Sequence, residues 1–511
     1  MAYYPTQTDI RLLHFNEKSI HVKIVLLNES YKIISEMRGQ FISGSISMDV
    51  DSDIRNTLTI SLAITSESFN IGEDKQLWIN QFVRVYIGYS APIINDIMWY
   101  DKGIFVITDY NITQSISSTR VININFSDLV CKLNGDVGGS LEGLETIIYQ
   151  KDEHTIRDAI IETLTDLSEF TKYYVEDMPK LIPYDLEFGA TDTVWDILTK
   201  LRDLYPGYEM FFDIDGTFVC KKIATKDTDP VVLDDSILKK IIISESDNGE
   251  LKDIRNTSKV WGKCLDTDYF TEDVTYDANQ NTYTCKFTGV AVNEDGSLPT
   301  STKFACKIPT TNTKDAPKLA IYNDDKLVVT LPITDSLEEN IKKDFFIADA
   351  SFVFRYRRNS MYVLGQWQIF AVNKLRNTSP TEEEKKQDKE KHGCDDITYT
   401  IIPDSPFAIE RIGERLKTYA GGEYDDIQAI DDCITRAEYE TWKSAKVVYT
   451  TSLESIYIPW IQGNEKIRYT LKSDNITRDW VIVGLETSIS SGIMTMDIVE
   501  FEPLYNFEVE E

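Results

Sequence analysis

The residues best placed to do chemistry are carboxylates in short runs. Asp49, Asp51 and Asp53 stand at i, i+2 and i+4, the spacing of the first ligands in a calcium loop, and Asp213-Ile214-Asp215-Gly216 offers a second such start. Such a loop needs Gly at its sixth position and Glu at its twelfth. The first run has Ile54 and Ile60 there; the second has Gly at its fourth position and Ala224 at its twelfth. Both therefore read as turns. The stretch Gly135–Gly143 lacks the Lys-Ser/Thr ending of a phosphate loop, and Ser140 runs into Leu141-Glu142 rather than a nucleophile elbow. Seven cysteines without a CxxC pair and four scattered histidines form no zinc spacing, so the cysteines read as reduced, mostly buried thiols, Cys131 and Cys220 among them. Paired acids of the kind that cleave glycosides stay open, because 84 acidic residues bring many pairs within reach. Trp195 and Trp367 read as core anchors. Arg355, Arg357 and Arg358, set around Tyr356, are the sharpest cationic cluster and read as an intersubunit salt-bridge patch. No catalytic, cofactor-binding or metal-binding residue is assigned.

Those side chains sit in an acidic chain of 511 residues with a net charge of −31. A grip on nucleic acid needs clustered Lys and Arg, so DNA is not expected to be held. The excess is densest over residues 151–250, where 23 acidic side chains face 11 basic ones, which makes that stretch a candidate lumen or docking surface. Asp9 and Arg11 interrupt the start where an export signal needs apolar residues, and no stretch has the roughly 18 apolar residues of a membrane span. A soluble protein without stable membrane binding is expected. At about 150 residues per domain the length suits three to four domains.

Up to about residue 128 the text alternates apolar and polar residues. His21–Leu27, Gly39–Asp49, Asn56–Ile64, Phe82–Tyr89, Gly103–Thr113 and Arg120–Phe126 are predicted strands with one buried face. Ile156, Ile160, Leu164 and Leu167 then recur at helical spacing, and Val194 to Leu204 do so again behind Thr191 or Asp192 as cap, stopping at Tyr205-Pro206-Gly207. Asp215-Gly216 supplies the turn of a hairpin. A third helix is predicted after Ser405-Pro406, with Ile409, Ile412 and Leu416 on its inner face. The chain closes with predicted strands Ile456–Ile461, Lys466–Leu471, Trp480–Leu485 and Met494–Phe501. Two echoes suggest two related β-barrels: Asp53–Thr57 returns as Asp253–Thr257, and the hairpin pattern Phe105–Thr108 with Val121–Ile124 returns as Trp480–Val483 with Met494–Ile498. The domains expected are a first β-barrel over 1–148, an α+β helix-hairpin domain over 149–228, a β-rich domain over 229–395, and a helix with a second β-domain over 396–511. The third carries an insertion near 265–350 and a charged loop at 380–393. The fold class is mainly β with α+β elements, multidomain.

The run Gly44–Asp49 with Ser52–Leu58, Gly103–Ile107, Leu133–Gly139, Thr193–Leu198, Tyr208–Asp213 and Ile458–Ile461, in this order, resembles the baseplate hub or tail-associated proteins of bacteriophages of Gram-positive hosts, related in architecture to the contractile-tail hub. The resemblance covers most of the chain and is weakest over 265–350. It implies two tube-like β-barrels per subunit and a homotrimer that presents a pseudo-sixfold ring to a hexameric tail tube. The implied partners are the tube protein, the tape-measure terminus, and distal tail or spike and receptor-binding baseplate proteins, with DNA only passing through the channel. The implied location is the virion tail, after synthesis in the host bacterial cytoplasm. Some relatives carry fused peptidoglycan hydrolases, but no HxH or Cys-His module follows Glu500, so cell-wall cutting is expected from another subunit. The alternatives are another tail-tip ring component such as a distal tail protein, the hub of a phage-derived contractile machine, or, in a different class, a virion-borne glycan hydrolase using paired carboxylates.

Overall fold

The computed structural model describes residues 5–501 except 16, 38, 65–71, 73–74, 79–80, 93, 95, 115–119, 144–145, 169, 205–206, 224–229, 250, 266, 294, 336–337, 347, 349, 395, 425–426 and 447–448. The predicted helix stop at Tyr205-Pro206 and the last ten residues lie outside these. The chain is mainly β and multidomain. It forms two compact units, Met1–Lys252 with Val447–Glu511, and Asp253–Lys446.

The first unit is built on one thirteen-stranded sheet. Its path runs Ile242–Gly249, Tyr449–Ile456, Ile493–Glu500, Thr477–Ser488, Gln40–Asp49, Asn56–Ile64, Arg120–Ser127, Met98–Thr113, Phe82–Ser90, Ser19–Leu27 and Ile33–Glu36. Alternation explains the membership: along Asn56–Ile64, Leu58, Ile60, Leu62 and Ile64 are buried and their neighbours face outward. The strands expected in 1–148 and in 396–511 meet where Gln40–Asp49 pairs antiparallel with Thr477–Ser488, from Asp49 opposite Gly484 to Ser45 opposite Ser488. One core serves both, with Ile60, Val85, Phe105 and Ile124 in the same cluster as Trp480, Ile482 and Met496. The two hairpins of the second echo are both long and antiparallel, and each has a bulge, at Ile107/Asp109 and at Ile482/Gly484. Of the stretch Ile456–Ile461, predicted as a strand, only Ile456 is one, closing Tyr449–Ile456; Tyr457 to Ile461 form a turn, all buried, and an unbroken buried run around Pro459 has no outward face for a strand to show.

Helices Ile156–Leu167 and Val194–Asp203 stand where the periodicity puts them. The cap of the second is Thr193, not Thr191 or Asp192. Its hydroxyl accepts from the Asp196 N–H at 3.1 Å while the Asp196 carboxylate accepts from the Thr193 N–H at 2.8 Å. The glycine-rich loop docks this helix, since Val194 N–H donates to the Gly139 carbonyl at 2.8 Å. A Cβ at Gly139, which sits at φ 84, would lie 2.3 Å from the Leu133 carbonyl oxygen. The hairpin Tyr208–Phe212 with Phe218–Lys222 turns at Gly216 as expected. Its Glu209 meets Arg55 in a buried pair: Nη1 lies 2.8 Å from Oε2, with the side chains 7 % and 9 % exposed. Asn464 donates to the same oxygen at 2.5 Å, Lys221 lies 3.6 Å from Oε1, and the Arg55 guanidinium stacks 4.4 Å over the Phe211 ring.

The second unit has two sheets. Ile397–Ile401, Phe370–Arg376, Thr257–Trp261 and Leu416–Tyr419 form a four-stranded sheet whose central pair is antiparallel and whose outer pairs are parallel. Between the paired ends Trp261 and Phe370 the chain builds an eight-stranded sheet, Tyr269–Thr271 through Ser360–Gln366, over its own core of Tyr283, Phe304, Phe346 and Phe354. Helix Ile430–Ser444, which the sequence reading did not anticipate, packs Cys433 and Ala437 against Val260 and Ala371. The helix predicted after Ser405-Pro406 is a single turn, Ile409–Ile412, because Gly413 at φ 73 breaks it and Leu416 begins a strand.

The charged loop expected at 380–393 is also a helix, Glu382–His392. Thr381 and Glu384 form a capping box, Gly393 closes it at φ 59, and acids in the first turn with bases in the last suit the macrodipole. His392 is its sole buried residue, so charge holds it down. Lys374, itself buried, lies 2.5 Å from Asp388 and 3.1 Å from Glu414, and Arg376 lies 2.8 Å from Glu384 and 3.0 Å from Glu410. Burial would raise the Glu414 carboxyl, but His392 at 2.8 Å, Lys391 and Lys374 outweigh it and hold it well below the usual range. The Arg376 guanidinium, with the Thr381 amide and hydroxyl, holds Glu384 down to about 2.

Two outcomes are expected. Arg55→Met leaves Glu209 buried beside weaker partners and should cost about 3–5 kcal/mol in urea unfolding, whereas the double variant Arg55→Met/Glu209→Met should cost far less. Carboxyls depressed in the fold stabilise it fully above their unfolded value of about 4.3 and lose that stability as pH falls toward the folded value. Hydrogen exchange of the 382–392 amides should therefore accelerate as pH drops from about 5 toward 2, after correction for intrinsic rates, and Glu414→Gln should flatten that dependence.

Candidate assembly interface

Among the described residues the path of the thirteen-stranded sheet does not close on itself, and a short branch, Val231–Leu233 paired with Lys466–Thr470, leaves it at Thr477–Ser488. At one end Ile33–Glu36 pairs with Ser19–Leu27 on one side, through Ile33, Ser35 and Glu36, and with no strand on the other among the described residues. Asn28 sets the hairpin: its side-chain oxygen accepts from the Ser30 and Lys32 N–H groups at 3.1 and 2.9 Å, and Tyr31 takes φ 58. All four residues of the strand are exposed, Ile33 at 64 % and Ile34 at 63 %. Ile34 sits at an irregularity of the register, opposite no residue of the partner strand, and neither isoleucine is covered among the described residues. At the other end Ile242–Gly249 pairs with Tyr449–Ile456 alone among the described strands and exposes Ile243 at 54 %. Open edges present unpaired N–H and C=O groups that template pairing with another strand. Sequence reasoning passed over both; the adjacent pair Ile33-Ile34, which breaks alternation just after a turn, was the available signal.

The three arginines of the cationic cluster have different surroundings. Arg355 Nη2 donates to Ser301 Oγ at 2.8 Å, and Arg357 lies 3.1 Å from Glu338 and 4.5 Å over the Tyr362 ring. Arg358 is exposed in the turn that joins Ser351–Arg357 to Ser360–Gln366. Trp195 is buried as expected. Trp367 is not: it is half-exposed and stacks 4.3 Å from Phe270, which is 41 % exposed.

The candidate metal runs are turns whose carboxylates accept from nearby backbone. Asp49 Oδ1 takes the Asp51 N–H at 2.9 Å, Asp213 Oδ1 the Ile214 N–H at 2.7 Å, and Asp215 Oδ1 the Thr217 N–H at 3.1 Å. Burial would raise the Asp215 carboxyl, but Lys172 and Thr217 pull it down to about 2. None of the seven cysteines forms a disulfide, and six are buried, Cys264 being exposed. Burial pushes the thiols of Cys131, Cys220 and Cys433 up to about 12, so these remain thiols rather than thiolate nucleophiles. No helix among the described residues is long and apolar enough to cross a membrane.

Residues 404–505 match a family model described as a domain of unknown function, DUF5048. No match was found among curated proteins. Among solved structures the chain is similar to the tail protein from Neisseria meningitidis MC58, with 9 % identity, 94 % of this chain and 96 % of that chain covered, and a TM-score of 0.44. It is similar to the 43 kDa tail protein of prophage MuSo2 from Shewanella oneidensis, with 10 % identity, 95 % and 99 % covered, and a TM-score of 0.47. It is also similar to the prophage tail protein gp18 from Listeria monocytogenes EGD-e, with 10 % identity, 94 % and 95 % covered, and a TM-score of 0.43.

Proposed function

We propose that the chain is a structural subunit of a phage tail, a baseplate hub that assembles as a homotrimer and joins the hexameric tail tube to the distal tail tip. The observation that carries this reading is the open-ended sheet drawn from both ends of the chain. A ring adapter needs two free edges per subunit so that each copy can add strands to the next, and Ile33–Glu36 and Ile242–Gly249 are two such edges. The motif order from Gly44 to Ile461 supports the same family. Its partners in this role are the tube protein, the tape-measure terminus and distal tail or receptor-binding baseplate proteins, and its place is the virion tail. The role needs no catalysis. Arg358, exposed at its turn, serves as a contact to a neighbouring acidic surface, with Arg355 and Arg357 beside it.

The acidity fits the same role. A channel wall bearing negative charge repels phosphates, so a genome slides past without being held. Residues 151–250, with 23 acids against 11 bases, are the stretch proposed to face it.

Light scattering of the purified chain should give three times the monomer mass, and Ile33→Lys/Ile34→Lys should lower it to one while circular dichroism stays unchanged. A wild type that remains monomeric at high concentration, or that releases reducing sugar from cell walls, counts against the hub.

A further inference from the structure

The eight-stranded sheet of the second unit has a break in its wall. Its formal end strands, Tyr269–Thr271 and Val274–Asp277, are joined by Glu272 and Asp273 alone, which brings the two ends of the sheet together. The break lies elsewhere, along Lys326–Thr334. That strand pairs antiparallel with Lys318–Asn323, from Lys326 opposite Asn323 to Pro332 opposite Lys318. On its other side it meets Ser360–Gln366 in parallel only where Ile333 stands opposite Met361 and Thr334 opposite Tyr362. Just before that point in the register the neighbour turns away, at Arg357-Arg358-Asn359-Ser360, so Lys326–Leu331 has no strand on that side among the described residues. Every second residue of such an edge turns its N–H and C=O groups outward, here over about 20 Å. The side chains leave the core half covered in the same place. Val328, Val329 and Leu331 pack on the cluster of Tyr283, Phe304 and Phe354 yet stay half-exposed, and Leu327 is 48 % exposed. A bulge puts Val328 opposite no residue of the partner strand, which lets two neighbouring valines both lean inward. Leu327 to Leu331 carry no charge to guard the edge.

We propose that Lys326–Leu331 receives an extended segment of another protein as an added strand, with backbone paired to backbone, apolar side chains of the segment over Val329 and Leu331, and an acidic side chain meeting Arg358. The unpaired backbone row calls for a strand rather than a helix or a small molecule. The length of the edge speaks against a second copy, because its six residues compare with the roughly 20–30 a side that a stable interface between folded chains uses. Charge selects the acid. Arg358 is exposed at the foot of the edge and, though its charge reaches Asp295, stands at contact distance from no carboxylate among the described residues. Beside it Arg357 is paired with Glu338 at 3.1 Å, and Arg355 donates to Ser301 at 2.8 Å. At the tip, Lys286 and Lys326 stand beside Asp324 and Asp325, with Lys286 3.3 Å from Asp325, so Arg358 is the cation left over. This gives the contact assigned to Arg358 its partner, and it holds whether or not the chain forms a trimer.

Fluorescence anisotropy on the full chain tests this with a labelled peptide of alternating Val and Thr that carries Asp at both ends, its Asn-ended counterpart, and two forms of the Asp-ended peptide N-methylated at the Val or at the Thr residues. Saturable binding of the Asp-ended peptide is expected, about tenfold weaker in the N-methylated form whose blocked N–H groups face the edge, and hydrogen exchange of the 326–331 amides should slow in the complex. Arg358→Glu should weaken the Asp-ended peptide about tenfold and leave the Asn-ended one unchanged. Leu327→Lys/Thr330→Lys changes two exposed positions, so it should leave the melting temperature and the assembly mass as they are while abolishing binding. The proposal is overturned if no peptide binds, if both N-methylated forms bind as tightly as the parent, or if either variant binds the Asp-ended peptide like the wild type. It is also overturned if Leu327→Lys/Thr330→Lys lowers the mass, which assigns the edge to a second copy. The mass of the wild type tests the hub separately.

Discussion

The antiparallel pairing of Gln40–Asp49 with Thr477–Ser488 is the constraint on which the first unit depends. It joins segments more than four hundred residues apart, and without it the sheet would stop at Gln40–Asp49 with Met48 and Ile46 facing water. Loop-closure entropy makes this tolerable. The cost grows only logarithmically, about 0.6 kcal/mol for each doubling, so a whole unit between the two strands adds little once the intervening residues fold by themselves. The Arg55–Glu209 pair works beside it by a different physics. It binds a turn, a hairpin and the 457–465 turn through charge removed from water, a contact that specifies one arrangement more sharply than apolar surface does.

Much of the first unit was legible because its signals are local. Asn56–Ile64 and Arg120–Ser127 alternate large aliphatics with polar residues, Ile156–Leu167 repeats at helical spacing, and Asp215-Gly216 marks its own turn. The misreadings share one cause, stabilisation by residues distant in sequence. Helix Glu382–His392 has no apolar face to read, and its anchors include Lys374, Arg376 and Glu414 outside the helix; only the Thr381–Glu384 capping box was visible in place. Helix Ile430–Ser444 turns Cys433, Ala437, Glu440 and Thr441 inward instead of leucines. Tyr457 to Ile461 are apolar because they are buried as a turn, and composition cannot separate that from a buried strand.

The site was less legible than the fold. The arginine cluster stood out by composition, yet Arg355 and Arg357 are engaged within their own sheet, while the strand with the strongest claim to an interface carries the inconspicuous text Ile-Ile-Ser-Glu. Charge is easily seen in a sequence, whereas an unpaired strand edge is a property of the sheet's topology.

The repeated Asp-Ile-Arg-Asn-Thr text shows how far an echo can diverge: Asn56 offers its backbone N–H to Asp128, whereas the side chain of Asn256 spans the carbonyls of Phe407 and Gly413 and the amide of Arg415. The eight-stranded sheet has the opposite character, set apart rather than woven in. It leaves the four-stranded sheet at Trp261 and returns at Phe370, two residues paired directly across neighbouring strands. Its entry and exit are thus those of a hairpin tip, and the host sheet keeps its register whatever is mounted there. The body between 261 and 370 is mounted as a cassette: a change inside it, or in the surface it displays, leaves the pairing of the sheet that carries it untouched.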